Sequence, residues 1–232
     1  MTQCTNTVRV VKVGTLCCEV SELAGISYQV KHELGVGGGS TVTLIDGSTR
    51  ILVDTGFDYE SVNTKINNTR NARSLAMALK LMGIKPDDID AVFVTHWHRD
   101  HFGNLGVFDK AEHLAPKGLV ERFRLKGFRG VVDGETILPG VEVLLTPGHT
   151  IDHASIIVNS MLGGLKARIA VAGDAVLSHG YLQSGRVWQY NADFHNAEEA
   201  SKSIQHLLEL CDVIIPGHGT PFMAPRPFHV QT

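Results

Sequence analysis

The chain has 232 residues, 43% of them hydrophobic and 19% charged, with a formal net charge of −3. That apolar content can fill a substantial core, yet no run approaches the ~18 uninterrupted apolar residues of a membrane span. The mild negative balance is not the footprint of a protein that grips many phosphates.

The opening, MTQCTNTVRVVKVG, lacks the apolar segment of a secretory signal. Cys4, Cys17, Cys18 and Cys211 show no CxxC spacing, so reduced thiols are expected. A cytoplasmic location follows, with the nucleus also open to a chain this small. In chain order, Val8 to Val13, Ser27 to Lys31, Thr41 to Ile45 and Arg50 to Val53 read as strands with Gly-rich breaks. A helix is predicted from about Asn71 to Met82, where Leu75, Leu79 and Met82 recur at helical spacing and Gly83 stands just past the end. The β-branched run Asp90 to Thr95 predicts a buried strand, and Gly103 to Phe108 the start of a helix. Further strands are expected near 111–115, 141–146, 154–159, 167–172 and 212–215. Asn196-Ala197-Glu198-Glu199 resembles a capping box and opens a helix through about Leu210. No repeat or second domain is visible; a single domain over residues 1–232 is the expectation, with a Pro-rich stretch at Pro221 to Pro227.

Chemistry concentrates where strands end. Thr95-His96-Trp97-His98-Arg99-Asp100-His101 holds three histidines and an aspartate. On an α-helix His96 and His98 would lie about 200° apart and could not share one ion. On a strand or the loop beyond it, alternate side chains point the same way, so His96, His98 and Asp100 are expected to converge, with Trp97 turned away to pack. Three more hydrophobic runs each deliver one residue into a tight turn: His149 in Thr146-Pro147-Gly148-His149-Thr150, Asp174 in Ala172-Gly173-Asp174-Ala175, and His218 in Pro216-Gly217-His218-Gly219. Glycine and proline let such turns bend sharply and aim a side chain. Few tasks other than metal coordination need this pattern. Asp54-Thr55-Gly56 also follows a hydrophobic strand, as in aspartic proteases, but no second such triplet is present and that reading leaves the histidines unexplained.

With Leu52 to Gly56 upstream, these motifs in this order resemble the metallo-β-lactamase superfamily, over roughly Val8 to Phe222. The resemblance implies an α/β (α+β) αββα sandwich, two mixed sheets flanked by helices. It implies that His96, His98 and His149 hold one metal, that Asp100, His101 and His218 hold a second, and that Asp174 bridges them. Asp100 and Asp174 are then the catalytic carboxylates. Asp54 becomes a group behind the ligands, orienting an imidazole through a hydrogen bond. Two carboxylates against two divalent cations leave a deficit that draws a bridging hydroxide and lowers the pKa of its parent water toward ~7. Imidazole and carboxylate ligands suit two zinc ions, with iron or manganese also admissible. Of the other histidines, most read as surface or packing residues. His179 and His195 bracket a segment that reaches the metal mouth in such folds, where either could orient substrate or transfer a proton. The resemblance alone suggests a homodimer.

The resemblance is most specific at Asp100 to Phe108 and at Asp212 to Phe222. There it implies an endoribonuclease acting on single-stranded RNA, of the histone pre-mRNA 3′-end processing type. Lys117, Arg122, Arg124, Lys126 and Arg129, interleaved with Phe123 and Phe128, form the one local patch that could contact RNA; a solvated loop over packed aromatics explains the same residues. The alternative is a glyoxalase II-like thioesterase or another small-molecule hydrolase of this fold, including a mononuclear iron oxygenase. A metal-stabilised scaffold without activity is the third reading, disfavoured by the intact ligand set.

Overall fold

The computed structural model describes residues 6–16, 38–58 and 64–225. The strand expected at 27–31 lies outside them.

Two six-stranded mixed sheets face each other. The first runs in chain order: β1 (Thr7–Lys12), β2 (Val42–Asp46), β3 (Arg50–Val53), β4 (Ala91–Phe93), β5 (Glu112–Pro116) and β6 (Phe128–Val131). Its first two pairings are antiparallel and the rest parallel. The second sheet comprises β7 (Thr136–Leu138), β8 (Val141–Leu145), β9 (Ala154–Leu162), β10 (Leu165–Gly173), β11 (Val213–Pro216) and β12 (Phe222–Met223). Its pairings are antiparallel except β10 with β11.

Strand alternation explains the layering, because successive side chains leave a strand on opposite faces. In β3, Ile51 and Val53 enter the core between the sheets, while Leu52 faces outward. In β9, Ile156 and Val158 point inward and Ile157 outward. Both faces are therefore apolar, and each outer face needs a helix. On the first sheet this is α1 (Thr64–Leu81), whose Leu75 and Leu79 pack on Leu44, Leu52 and Val92. On the second it is a helix at Ala197–Leu210, whose Leu207 packs with Ile157, Ala170 and Ile214. The result is the αββα sandwich.

Helix ends follow local chemistry. Gly83, at φ 74°, lets the chain close α1 with Ile84 N–H donating to the Leu79 carbonyl at 3.0 Å and Gly83 N–H to that of Lys80 at 2.9 Å. Asn196 caps the C-terminal helix, accepting from Glu198 N–H at 2.8 Å and Glu199 N–H at 3.0 Å. The remaining helices are α2 (Arg99–Phe102), α3 (Lys117–Phe123) and α4 (His179–Gln183), which makes the C-terminal one α5. The helix expected at 103–108 is only a 3₁₀ turn at Leu105–Val107, too short a segment before the β5 connection to wind further. Strands β6 and β7 and helix α3 occupy a stretch that reads as loop because its apolar residues are broken up by glycines and charged residues. No helix among the described residues is long and apolar enough to cross a membrane.

Leu79 is fully buried and Leu81 is 83% exposed. Leu79→Ala should therefore cost about 2–5 kcal/mol and Leu81→Ala less than about 0.5 kcal/mol, measured as shifts in chemical denaturation.

Candidate metal centre

Every strand that carries a motif ends at the same edge of the sandwich. His96 follows β4, His149 follows β8, Asp174 follows β10 and His218 follows β11. The seven candidate ligands come together there and are buried. They form two groups, His96, His98, His149 and Asp174, and Asp100, His101 and His218, with the ligand atoms of each group within 4.8 Å of one another.

Strand alternation alone would send Asp100 with His96 and His98, and the structure corrects this. His98 is the last extended residue, at φ −98° and ψ 140°, and α2 begins at Arg99. The change from period 2 to period 3.6 swings Asp100 and His101 into the second group. Trp97 points away and stacks on Phe102 with ring centroids 3.9 Å apart.

The spacing suits cations. A tetrahedral site with bonds of about 2.0–2.1 Å has ligand–ligand edges near 3.3 Å. In the first group His98 Nδ1 lies 2.8 Å from His96 Nε2 and 3.1 Å from His149 Nε2. Asp174 Oδ2 lies 3.4 Å from His149 Nε2 and 3.9 Å from His96 Nε2. In the second group Asp174 Oδ1 lies 3.2 Å from His101 Nε2 and 3.4 Å from His218 Nε2, and Asp100 Oδ2 lies 3.6 Å and 3.2 Å from the same atoms. The two oxygens of Asp174 thus face different groups. Both oxygens of Asp100 and of Asp174, with the Nε2 atoms of His101 and His218, have no hydrogen-bond partner although buried. So many orphaned polar atoms would be costly; cations between them remove the cost.

Behind the cluster, hydrogen bonds fix the tautomers. His101 Nδ1 donates to Asp54 Oδ2 at 2.7 Å, and His218 Nδ1 to the Thr15 carbonyl at 2.9 Å. His96 Nδ1 reaches Thr95 Oγ1 at 3.0 Å, whose hydroxyl in turn donates to Asp54 Oδ2 at 2.9 Å. His98 Nε2 donates to Asp193 Oδ1 at 2.8 Å. With protons held on these outer nitrogens, lone pairs on the inner ones face the two groups. Asp54 therefore supports imidazoles of both groups. It sits at φ 59°, an uncommon conformation for a non-glycine residue, held by its own N–H bond to Phe93 and the Thr95 contacts. Gly217 is required for a different reason: a Cβ there would fall 1.9 Å from Asp174 Oδ1.

Sequence reasoning missed Asp193 and Asn191. Asn191 Nδ2 donates to Asp193 Oδ1 at 2.9 Å and to the His149 carbonyl at 3.0 Å, tying the loop before α5 to two residues of the first group. Nothing in the local sequence marks them. His153 is also completely buried, 4.9 Å from the His96 ring, with Nδ1 on Thr146 Oγ1 at 2.8 Å. His179 and His195 do not join the cluster. His179 stacks on Phe222 at 4.5 Å, and His195 Nε2 pairs with Glu199 at 3.2 Å.

Protonation follows burial and charge. Burial lowers the His149 pKa to about 3, and burial with the neighbouring imidazoles holds His96 well below its usual range. For His218 burial acts downward, but Asp174 and Asp100 outweigh it and raise it to about 10. His101 is likewise raised, against its burial, by Asp174, Asp54 and Asp100. Burial pushes the Asp174 carboxyl upward, and the facing His218 and His101 more than reverse this, leaving it well below its usual value. Without cations, protons on His101 and His218 balance the buried carboxylates.

The chain has relatives. A profile described as Metallo-beta-lactamase superfamily matches residues 35–126. Metallo-beta-lactamase domain-containing protein 1 of Xenopus laevis is 36% identical over 205 residues, covering 86% of this chain and 78% of its own. Thioesterase pkgB of Emericella nidulans is 28% identical, covering 84% of this chain and 52% of its own. Among solved structures, an N-acyl homoserine lactone hydrolase superimposes with a TM-score of 0.64 at 20% identity, over 94% of both chains.

Three outcomes follow. Asp193→Asn should weaken retention of one of two bound metals by about 10–100-fold and leave the other in place, read by metal analysis of dialysed protein. Metal uptake at neutral pH should release protons from His101 and His218, so affinity rises with pH until about 10, where His218 is already deprotonated. The same raised pKa gives the metal-free fold stability that is present below pH 6.5 and lost as pH climbs toward 10. The lowered pKa of His149 removes stability as pH falls from 6.5 toward 3. Metal-free protein should therefore be most stable near pH 6.5 in denaturation series.

Proposed function

The chain belongs to the metallo-β-lactamase superfamily, and from that premise we propose a dinuclear, zinc-dependent hydrolase acting on thioesters and carboxylic esters. The carrying observation is the divided carboxylate of Asp174, with Oδ2 toward the first group and Oδ1 toward the second. Two divalent cations held there by these residues would supply Lewis acidity and an acidified water. Zinc is the metal we propose; a set of imidazoles and carboxylates also accepts iron or manganese. The thiol of Cys211, pushed up to about 11 by burial, belongs to the apolar cluster under α5.

The protein's own groups divide the remaining work. Asp54, Thr95 and Asp193 hold the imidazoles in the ligating tautomer and orientation. Asp100 holds Oδ2 at 3.6 and 3.2 Å from the Nε2 atoms of His101 and His218 and would complete the second group as its carboxylate ligand. His149 and Asp174 line the groove through which a substrate carbonyl would approach.

Thioester and ester substrates rank above RNA, which reverses the order of the two readings drawn from sequence. Much of the basic stretch at 117–129 is committed within the fold. Arg122 pairs with Asp152 at 2.6 Å, Lys117 with Glu121 at 3.8 Å, and Arg129 with Glu112 and Glu135 at 2.9 and 2.5 Å. Phe128 packs against Trp97 and His113 instead of offering a stacking face. Among the relatives, one at 28% identity is named a thioesterase.

Zinc-loaded protein should turn over S-lactoylglutathione or a simple acyl thioester. Chelation should abolish this, and Asp174→Ala should lower kcat/KM by about a thousandfold or more. Inert thioesters together with cleavage of a short single-stranded RNA that Asp174→Ala abolishes would contradict the proposal. RNA cleavage that survives Asp174→Ala would instead identify a contaminating nuclease.

A further inference from the structure

Next to the first ligand group lies a shallow groove, open to solvent, with His149 and Asp174 in its wall. Its other walls come from Leu177 just before α4, Tyr181 and Leu182 of α4, Val187 in the loop after it, and Ile204 of α5. This surface is apolar and continuous with the ligands, so whatever occupies it would be joined to the reacting group.

Two polar features interrupt the apolar wall, and both lack partners among the described residues. Trp188 is 4% exposed, packs against Tyr181 and Tyr190, and its indole N–H has no acceptor. A buried donor left in this way costs roughly 1–3 kcal/mol until an acceptor is supplied. Arg186 also lines the groove, and its guanidinium pairs with no carboxylate. The other arginine that lines a cavity beside the cluster differs: Arg122, in a cleft with Trp97, Phe123 and Asp193, is neutralised by Asp152. Apolar walls, a bare N–H donor and an uncompensated cation together describe a ligand that is aliphatic along its length and anionic at one end.

We propose that this groove is the acyl subsite, and that it selects esters or thioesters whose aliphatic acyl chain carries a carboxylate, with Arg186 facing that anion and Trp188 donating to an acyl oxygen. The inference rests on the hydrolase reading above, but its test does not require turnover. Monomethyl suberate and methyl octanoate have similar chains and differ in the terminal carboxylate. Metal-free protein, titrated with each by calorimetry, should bind the suberate ester about fivefold more tightly, as befits one solvent-exposed ion pair. Arg186→Met, at an exposed position where folding is unaffected, should remove that preference while leaving methyl octanoate binding intact. In a Trp97→Phe background Trp188 is the only tryptophan, and its emission should change on binding of either ester. Equal affinities in the native protein, a preference that persists in Arg186→Met, or binding without a change in Trp188 emission would each overturn the proposal. So would a short single-stranded RNA that binds the groove more tightly than the suberate ester. If binding behaves as stated but the zinc-loaded protein hydrolyses neither ester, the hydrolase reading fails and the subsite stands. Hydrolysis of both esters with equal KM has the opposite meaning: the hydrolase stands and the subsite fails.

Discussion

Asp100 and Asp174 are carboxylates sealed inside the protein with no hydrogen-bond donor satisfying either oxygen pair. An isolated buried charge of this kind is among the most expensive features a fold can carry. The rest of the edge is organised around it. Five imidazoles turn lone pairs toward the carboxylates, and the strands beneath are fixed by a core from both sheets. In the metal-free protein, protonation of His101 and His218 is an imperfect substitute, since burial resists the same charge the carboxylates favour. Divalent cations resolve the conflict because they carry more charge in less volume and accept lone pairs directly.

The sandwich makes this arrangement possible. Parallel pairing of β3 with β4 and of β10 with β11 brings Asp54, His96, Asp174 and His218 to one edge. Each follows a strand buried on both faces, so its backbone has little freedom to drift. The close approaches are then set by single residues, as where Gly217 leaves room for Asp174 and Asp54 accepts a left-handed backbone. Function sits in loops, and the rigidity behind it comes from layers that α1 and α5 cover.

Much of this was legible in the sequence because it is local. Strand-end histidines and aspartates in Gly- or Pro-containing turns announce themselves by spacing, and Leu75 and Leu79 mark a helical face. What was not legible depends on long-range placement or on where one period gives way to another. The start of α2 at Arg99 divides the HxHxDH motif between two groups, and alternation alone cannot locate that change. Asp193 becomes the partner of His98 only because the loop after α4 folds back across ninety-five positions of chain. The neighbours of His179 and His195, Phe222 and Glu199, are likewise set by where the chain folds and not by spacing near the motifs. In the basic stretch at 117–129, Arg129 pairs with Glu112 of β5 and with Glu135 just before β7, and Arg122 with Asp152, partners that its local spacing does not announce.

X-ray absorption at the zinc edge tests the central claim most directly, since it reports the distance between two bound ions and the atoms around them. Zinc-loaded protein should show a zinc–zinc path of about 3.5–4 Å, with nitrogen and oxygen neighbours at about 2.0–2.2 Å and no sulfur. A spectrum lacking any zinc–zinc path at full loading, or one with sulfur in the coordination shell, would contradict it.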